Sequence, residues 1–277
     1  MLLTLASCDC GAESQQVDGP HPYVRCLAFE AEEGPLETLG GVVEGQTLSL
    51  QNVDSVEFFA VRASSLAWLG ENESDALQVV LGGFARDEAN AVPLLTALAA
   101  RGPALLLLGG EDDVEIFQDA FDEVSAPNLI SLLGIRRVDL GSTGMVVVPG
   151  AQNGRYGRGD SACGYAAEDL ALLGDDAEAG DLLVSWMVPT GEGIDEGILG
   201  QRIGDEALAQ AAAELALAGG VHAWPTEQAG FRGAEGKHFV VSALDGLQVS
   251  PEGGRFLGGP LTLRIDGGAW SAEPDSP

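Results

Sequence analysis

The chain has 277 residues, of which 45% are hydrophobic and only 6% aromatic, with 39 glycines, so it is long and apolar enough to bury a core rich in turns. Its 43 acidic residues against 13 basic ones leave a net charge of −30. That charge repels phosphate backbones and anionic headgroups, excludes nucleic acid as an expected partner, and suits a highly solvated surface.

In chain order the first feature is "MLLTLASCDCG", with Leu5-Ala6-Ser7-Cys8 as an apolar, small, small, Cys run. It is similar to a bacterial lipobox, in which the Cys becomes the acylated first residue. The apolar stretch ahead of it is shorter than an ordinary signal core and has no basic start. Either the true start lies upstream or the match is accidental. On the first reading, residues 1–23 are a lipobox-like N-terminus and a polar tether, Cys8 is lipidated, and the protein sits in the bacterial envelope, periplasmic or surface-exposed. On the second it is cytoplasmic. With Cys8 acylated, Cys10, Cys26 and Cys163 remain. They permit one disulfide, Cys10 with Cys26 being nearest in sequence, and leave one thiol. No later run of 18 apolar residues exists, so membrane contact is expected only through the anchor.

Residues 24–61 alternate apolar and polar in short runs ("VRCLAFEAE", "QTLSLQNV", "SVEFFAV"), the pattern of strands and hairpins. A buried strand over 77–81 then precedes Gly82-Gly83. The spacing of Leu94, Leu95 and Leu98 predicts a helix ended by Gly102-Pro103, and 104–108 predicts a second buried strand, central in its sheet. "LLLLGGEDD" therefore reads as a strand entering an acidic turn at its C-terminal end, where open α/β sheets bind ligands. Later, "AGDLLVSWMVPTGEG" reads as a strand and Gly/Pro loop, and "DEALAQAAAELALAGG" as a helix stopped by Gly219-Gly220. "VHAWPTEQAG" reads as a loop, "HFVVSAL" as a strand, and "GPLTLRIDGGAW" as an edge hairpin. A single α/β domain over 24–270 with more than one sheet is expected, followed by a flexible tail over 271–277.

The strand-end loops, in this order, resemble those of the calcineurin-like metallophosphoesterases. That resemblance implies a four-layer sandwich, two stacked mixed β-sheets flanked by helices, with a dinuclear metal centre at the strand ends. The metal-binding motifs are mostly replaced here. "VVLGGFARD" stands in the Gly-Asp-x-x-Asp place, with Gly82 for the glycine and Gly83 for the bridging Asp. "LLLLGGEDD" stands in the Gly-Asn-His-Asp place, with Gly109 kept, Gly110 for Asn, Glu111 for His and Asp112 for the acid. Trp186 stands where a His is expected, Gly219 is kept, Gly220 replaces another His, and His222 fills the last position. Ala63, Ser64 and Ser65 occupy the first loop, without Asp or His.

Two close divalent ions need several imidazoles and carboxylates to offset their repulsion and lost hydration. The chain has three histidines, His21, His222 and His238, of which one matches a ligand position. The expectation is therefore a pseudoenzyme with no cofactor, acting by binding or scaffolding on a protein or other envelope component. One rival is a hydrolase with a reduced, mononuclear site built from Asp87, Asp112 and His222, with Glu111 a residual catalytic candidate. Another is a structural subunit of a surface or periplasmic assembly. Glu111, Asp112 and Asp113 could offer hard oxygens to one weakly bound divalent cation such as Ca²⁺, or could cap the "VEIFQDAF" helix. Trp186 reads either as a stacking platform in the old cleft or as a filler of the emptied cavity. Arg155 and Arg158 are expected to pair with local acids.

Overall fold

The computed structural model describes residues 22–36, 40–157, 159–191, 194–195, 203–223, 238–241, 243–244, 247–249, 255–257 and 259–272. Cys8, Cys10, His21, Arg158 and most of the expected tether and tail lie outside the described residues.

The chain opens with β1 (Val24–Arg25), β2 (Gly34–Leu36), β3 (Gly41–Glu44), β4 (Thr47–Ser49) and β5 (Ser55–Phe59), then α1 (Leu66–Glu71). Next come β6 (Leu77–Leu81), α2 (Glu88–Arg101), β7 (Ala104–Leu107), α3 (Val114–Val124) and β8 (Leu129–Ser131). Short strands follow: β9 (Arg137–Asp139), β10 (Gly144–Val148), β11 (Ala151–Gln152) and β12 (Cys163–Tyr165). A 3₁₀ stretch over Ala167–Asp175 leads to β13 (Leu182–Ser185), α4 (Glu206–Glu214), β14 (Gly219–Ala223) and β15 (His238–Val241). The chain ends in β16 (Leu247–Val249), β17 (Arg255–Leu257), β18 (Leu261–Asp266) and β19 (Ala269–Ala272).

Two mixed sheets dominate. One runs β15-β14-β13-β10-β9-β4-β3-β2 and the other β19-β18-β5-β6-β7-β8. Within the second, β5 to β8 are parallel. Each parallel strand splits its side chains between two faces, as a two-residue repeat dictates. Phe58, Val79, Leu81, Leu105 and Leu107 join the core shared with Val146, Val148 and Val184 of the other sheet. Phe59, Val80, Leu106 and Leu108 turn outward to Leu94, Leu95 and Leu98 of α2 and Phe117 of α3. Both faces are covered, which is why these strands read as unbroken apolar runs. On the far side Leu170, Leu173 and Leu208 of the 3₁₀ stretch and α4 pack into the core with the larger sheet. The protein is thus an α/β sandwich of two stacked mixed sheets flanked by helices. No helix among the described residues is long and apolar enough to cross a membrane.

Several expectations need correction. The strand over 104–107 is buried on both faces but is not central: β8 alone separates it from the sheet edge. Gly219-Gly220 do not stop α4. The stop is at Leu215-Ala216, where Ala216 takes φ 53°, and the two glycines open β14, placing His222 in a strand rather than a loop. Tyr23, assigned to the expected tether, packs its side chain over Gly154 and Gly164, and Ser271-Ala272, assigned to the expected tail, belong to β19. Cys26 is bonded to Cys163, not to Cys10. The cause is topological: β1 pairs in parallel with β12, setting Val24 opposite Cys163 and bringing Cys26 within reach across 137 residues of sequence.

Candidate functional site

The turns after β6, β7, β10 and β13 meet at one end of the sandwich. Gly109 forms a parallel bridge with Gly150, and the Gly150 amide donates to the Leu108 carbonyl at 2.8 Å, so the two sheets are stitched together there. Over this seam lies the indole of Trp186, 5% exposed. A Cβ at Gly82 would stand 2.8 Å from its Cδ1 and one at Gly110 2.9 Å from its Cζ3, while one at Gly109 would meet its Nε1. The three glycines and the tryptophan form one object, because the ring occupies the volume that side chains at 82, 109 and 110 would need. Tyr156 packs edge-on against the indole, with ring centroids 5.3 Å apart.

Gly83, at φ +90°, is the residue that the resemblance sets in the place of the bridging acid, and a Cβ there would collide with the Val61 carbonyl. No L side chain fits without moving the Val61 backbone. Asp112 is fully buried and faces inward. Its carboxylate accepts from the amides of Gly109 at 2.7 Å, Ala85 at 2.8 Å and Gly83 at 2.9 Å. Burial pushes its pKa up to about 6 although these three donors pull it down, and nearby Glu111 adds to the rise. The carboxylate closes both strand-end turns on each other.

The neighbouring acids have separate partners. Glu111 pairs with Arg86 at 2.8 Å. Asp113 caps α3 through the Glu115 and Ile116 amides at 3.0 and 3.1 Å and accepts from the Ser161 hydroxyl. Asp87 caps α2 through the Asn90 amide at 3.1 Å. Capping, one of the two readings of "GGEDD", is therefore what Asp113 does. Ala63 and Ser64 are exposed in a 3₁₀ turn after β5, with Ser65 buried beneath them. Arg155, expected to pair with an acid, lies over the Tyr156 ring at 5.5 Å.

His222 belongs to a different network. It is fully buried on β14, and Gly220 makes room for it, since a Cβ there would be 2.6 Å from its Nε2. Its Nδ1 is 2.8 Å from the Ser185 Oγ and its Nε2 3.0 Å from Nδ1 of His238, with the two rings stacked. The Ser185 hydroxyl also donates to the Met187 carbonyl at 2.5 Å. If that bond takes its only proton, His222 donates from Nδ1 and accepts at Nε2. Burial, with His238 adjacent, lowers the His222 pKa well below the usual imidazole value.

These residues do not fit a dinuclear centre. The position expected for a bridging acid, Gly83, has no room for a side chain, Asp112 is consumed by amides, and His222 is hydrogen-bonded on both nitrogens. Among the described residues no three His, Cys, Asp or Glu side chains converge to hold a metal ion. Sequence reasoning missed Val61, Tyr156, Ser185 and His238. Only His238 carried a signal, as one of three histidines, and the β14–β15 register that sets it opposite Gly220 is not readable locally.

No family model matches the sequence, and no curated protein matches it. The solved structures similar to it in fold include the following two. One shares 12% identity over 79% of this chain and 98% of its own, with a TM-score of 0.52. The other, TT1561 of Thermus thermophilus, shares 13% identity over 69% of this chain and 89% of its own, with a TM-score of 0.50. At these identities the likeness shows the α/β architecture alone.

Proposed function

We propose that this is a catalytically inactive, metallophosphoesterase-like protein of the bacterial envelope that works by binding or scaffolding. One observation carries the reading: Trp186 stands where the resemblance expects a histidine, and its indole fills space that a side chain at 110, the Asn place, would need, while a Cβ at 83, the bridging-acid place, would collide with the Val61 carbonyl. A phosphoryl-transfer site needs open metal positions or cationic clamps to neutralise developing charge. This end of the sandwich offers a packed indole, an acid locked in amides and an arginine already paired with Glu111. The Cys26–Cys163 bond supports an oxidising compartment, in line with a lipid anchor at Cys8 and with a protein or other envelope component as partner.

The test is metal analysis, thermal melting and an aryl phosphate mono- and diester assay on the purified full chain, with and without Mn²⁺ or Zn²⁺. A tight site present only in the native state would add about 4 kcal/mol at a thousandfold excess over its dissociation constant. The expected outcome is no such stabilisation and no turnover above the buffer control. Stoichiometric metal, with hydrolysis lost in folded Asp87→Ala and His222→Ala variants, would establish the mononuclear hydrolase instead.

A further inference from the structure

A groove of about 910 Å³ lies away from the strand-end turns, between the Phe29–Glu32 segment, α3 and the edge of β8. The β8 backbone has two distinct sides. The Asn128 carbonyl accepts from Ala104 at 2.9 Å and the Leu132 amide donates to Leu106 at 3.0 Å, so positions 128, 130 and 132 face β7. The intervening Leu129 and Ser131 therefore direct their peptide groups away from the sheet. The Leu129 amide is held by Ala126 at 3.1 Å, which leaves the Leu129 carbonyl and the Ser131 peptide groups facing outward. The edge of the other sheet that borders the groove, β2, is blunted by Pro35. By contrast, Leu129–Ser131 carries no proline or charge, the usual guards of an exposed edge.

The groove lining is apolar at its floor and acidic at its rim. Phe29, Phe121 and Leu133 are half-buried along it, above the buried Phe117 and Ile130. Glu30, Glu32, Asp119 and Asp122 are exposed around it, and among the described residues no Lys, Arg or His contributes to the lining. An apolar trough beside an unguarded strand edge suits an extended backbone, and a one-signed rim selects the opposite charge.

We propose that this groove binds an extended peptide segment of a partner protein, which adds to β8 as a further strand. Its alternate residues are apolar and enter the groove, and the residues between them are Lys or Arg and meet the acidic rim. The inference does not depend on the strand-end turns being inert and would stand if they proved catalytic.

The probe is acetyl-Lys-Val-Lys-Ile-Lys-Val-Lys-amide, titrated against the full chain by isothermal titration calorimetry. Two control peptides keep the pattern: one replaces Lys by Glu, and the other is N-methylated at alternate residues, keeping charge and apolarity while blocking strand pairing. Combined Glu30→Lys, Asp119→Lys and Asp122→Lys should weaken the probe by about tenfold or more, whereas Glu71→Lys, Glu73→Lys and Asp266→Lys, an equal charge change on exposed residues elsewhere, should change it by less than about threefold. The Glu and N-methylated peptides should likewise bind about tenfold more weakly or worse. Equal losses in the two triple variants, equal affinity of the N-methylated peptide, or no binding of the probe would overturn the proposal. So would cross-links from residues 1–21 into the groove, or a dimer abolished by the groove variant, each assigning the groove to another occupant.

Discussion

At Asp112 a carboxylate with no solvent exposure is held by three main-chain amides, and burial still raises its pKa from about 3.8 to about 6. A carboxyl whose folded pKa is raised contributes stability that is full below the unfolded value and is lost as pH rises through the folded one. Two pH units correspond to roughly 3 kcal/mol, lost between about pH 4 and pH 6. The other acids titrate over the same range, so the informative quantity is the difference between wild type and Asp112→Asn in urea melts. Asparagine would turn an N–H₂ toward an amide donor and should cost about 2 kcal/mol or more. That gap is expected to narrow from pH 4 to pH 7, and a widening gap would mean that the amide bonds outweigh burial. His222 behaves in the opposite sense: its lowered pKa makes its contribution full above about 6.5 and lost as pH falls. Its ring carbon resonances should stay flat from pH 8 to pH 5. Of these residue roles, the Asp113 cap was legible, because an acid before "VEIF" is a local signal. The inward turn of Asp112 was not, since its three donors come from two different turns.

Among the elements, β6, α2 and β7 were readable because doubly buried strands form apolar runs and Gly102 supplies the helix stop with φ 155°. The stretches that became β9, β11 and β12 were not, being two or three residues long and stabilised by partners distant in sequence. The Trp186 seam makes the dependence between elements measurable. Gly109→Ala places a methyl group against the indole and should destabilise by about 1–3 kcal/mol. Trp186→Ala leaves a cavity and should cost about 3–5 kcal/mol. In the double variant the alanine methyl has no ring to meet, so the combined loss should fall short of the sum. Strict additivity in chemical denaturation would mean that ring and glycine do not share that space.

For the whole molecule, an α/β class with more than one sheet followed from strand-like segments before and after helical ones and the stack of two sheets from the family resemblance, but the strand order did not. Nothing local says that β4 lies beside β9 or that β1 lies beside β12. The disulfide was mispaired for that reason. Closing a loop of 137 residues should stabilise the native state by roughly 4–5 kcal/mol in the chain-entropy picture. Cys163→Ser is therefore expected to melt well below wild type, and reductant should lower the wild-type transition but not the variant's.

That bond also sets a path for mechanical force. In a protein held by its N-terminal side and pulled from its C-terminal side, tension entering at Cys26 crosses directly to Cys163. Once β18 has been peeled from β5 and β13 from β10, the backbone from β2 to β11 hangs in a closed bight that the covalent path bypasses. Single-molecule stretching should yield a short extension while the bond is intact. Reduction should release a further loop of 137 residues, about 45–49 nm of extended chain. Under traction the segment that includes the proposed docking edge at β8 feels the pull through β18 and β5, but its backbone cannot be drawn out to full length while the bond holds.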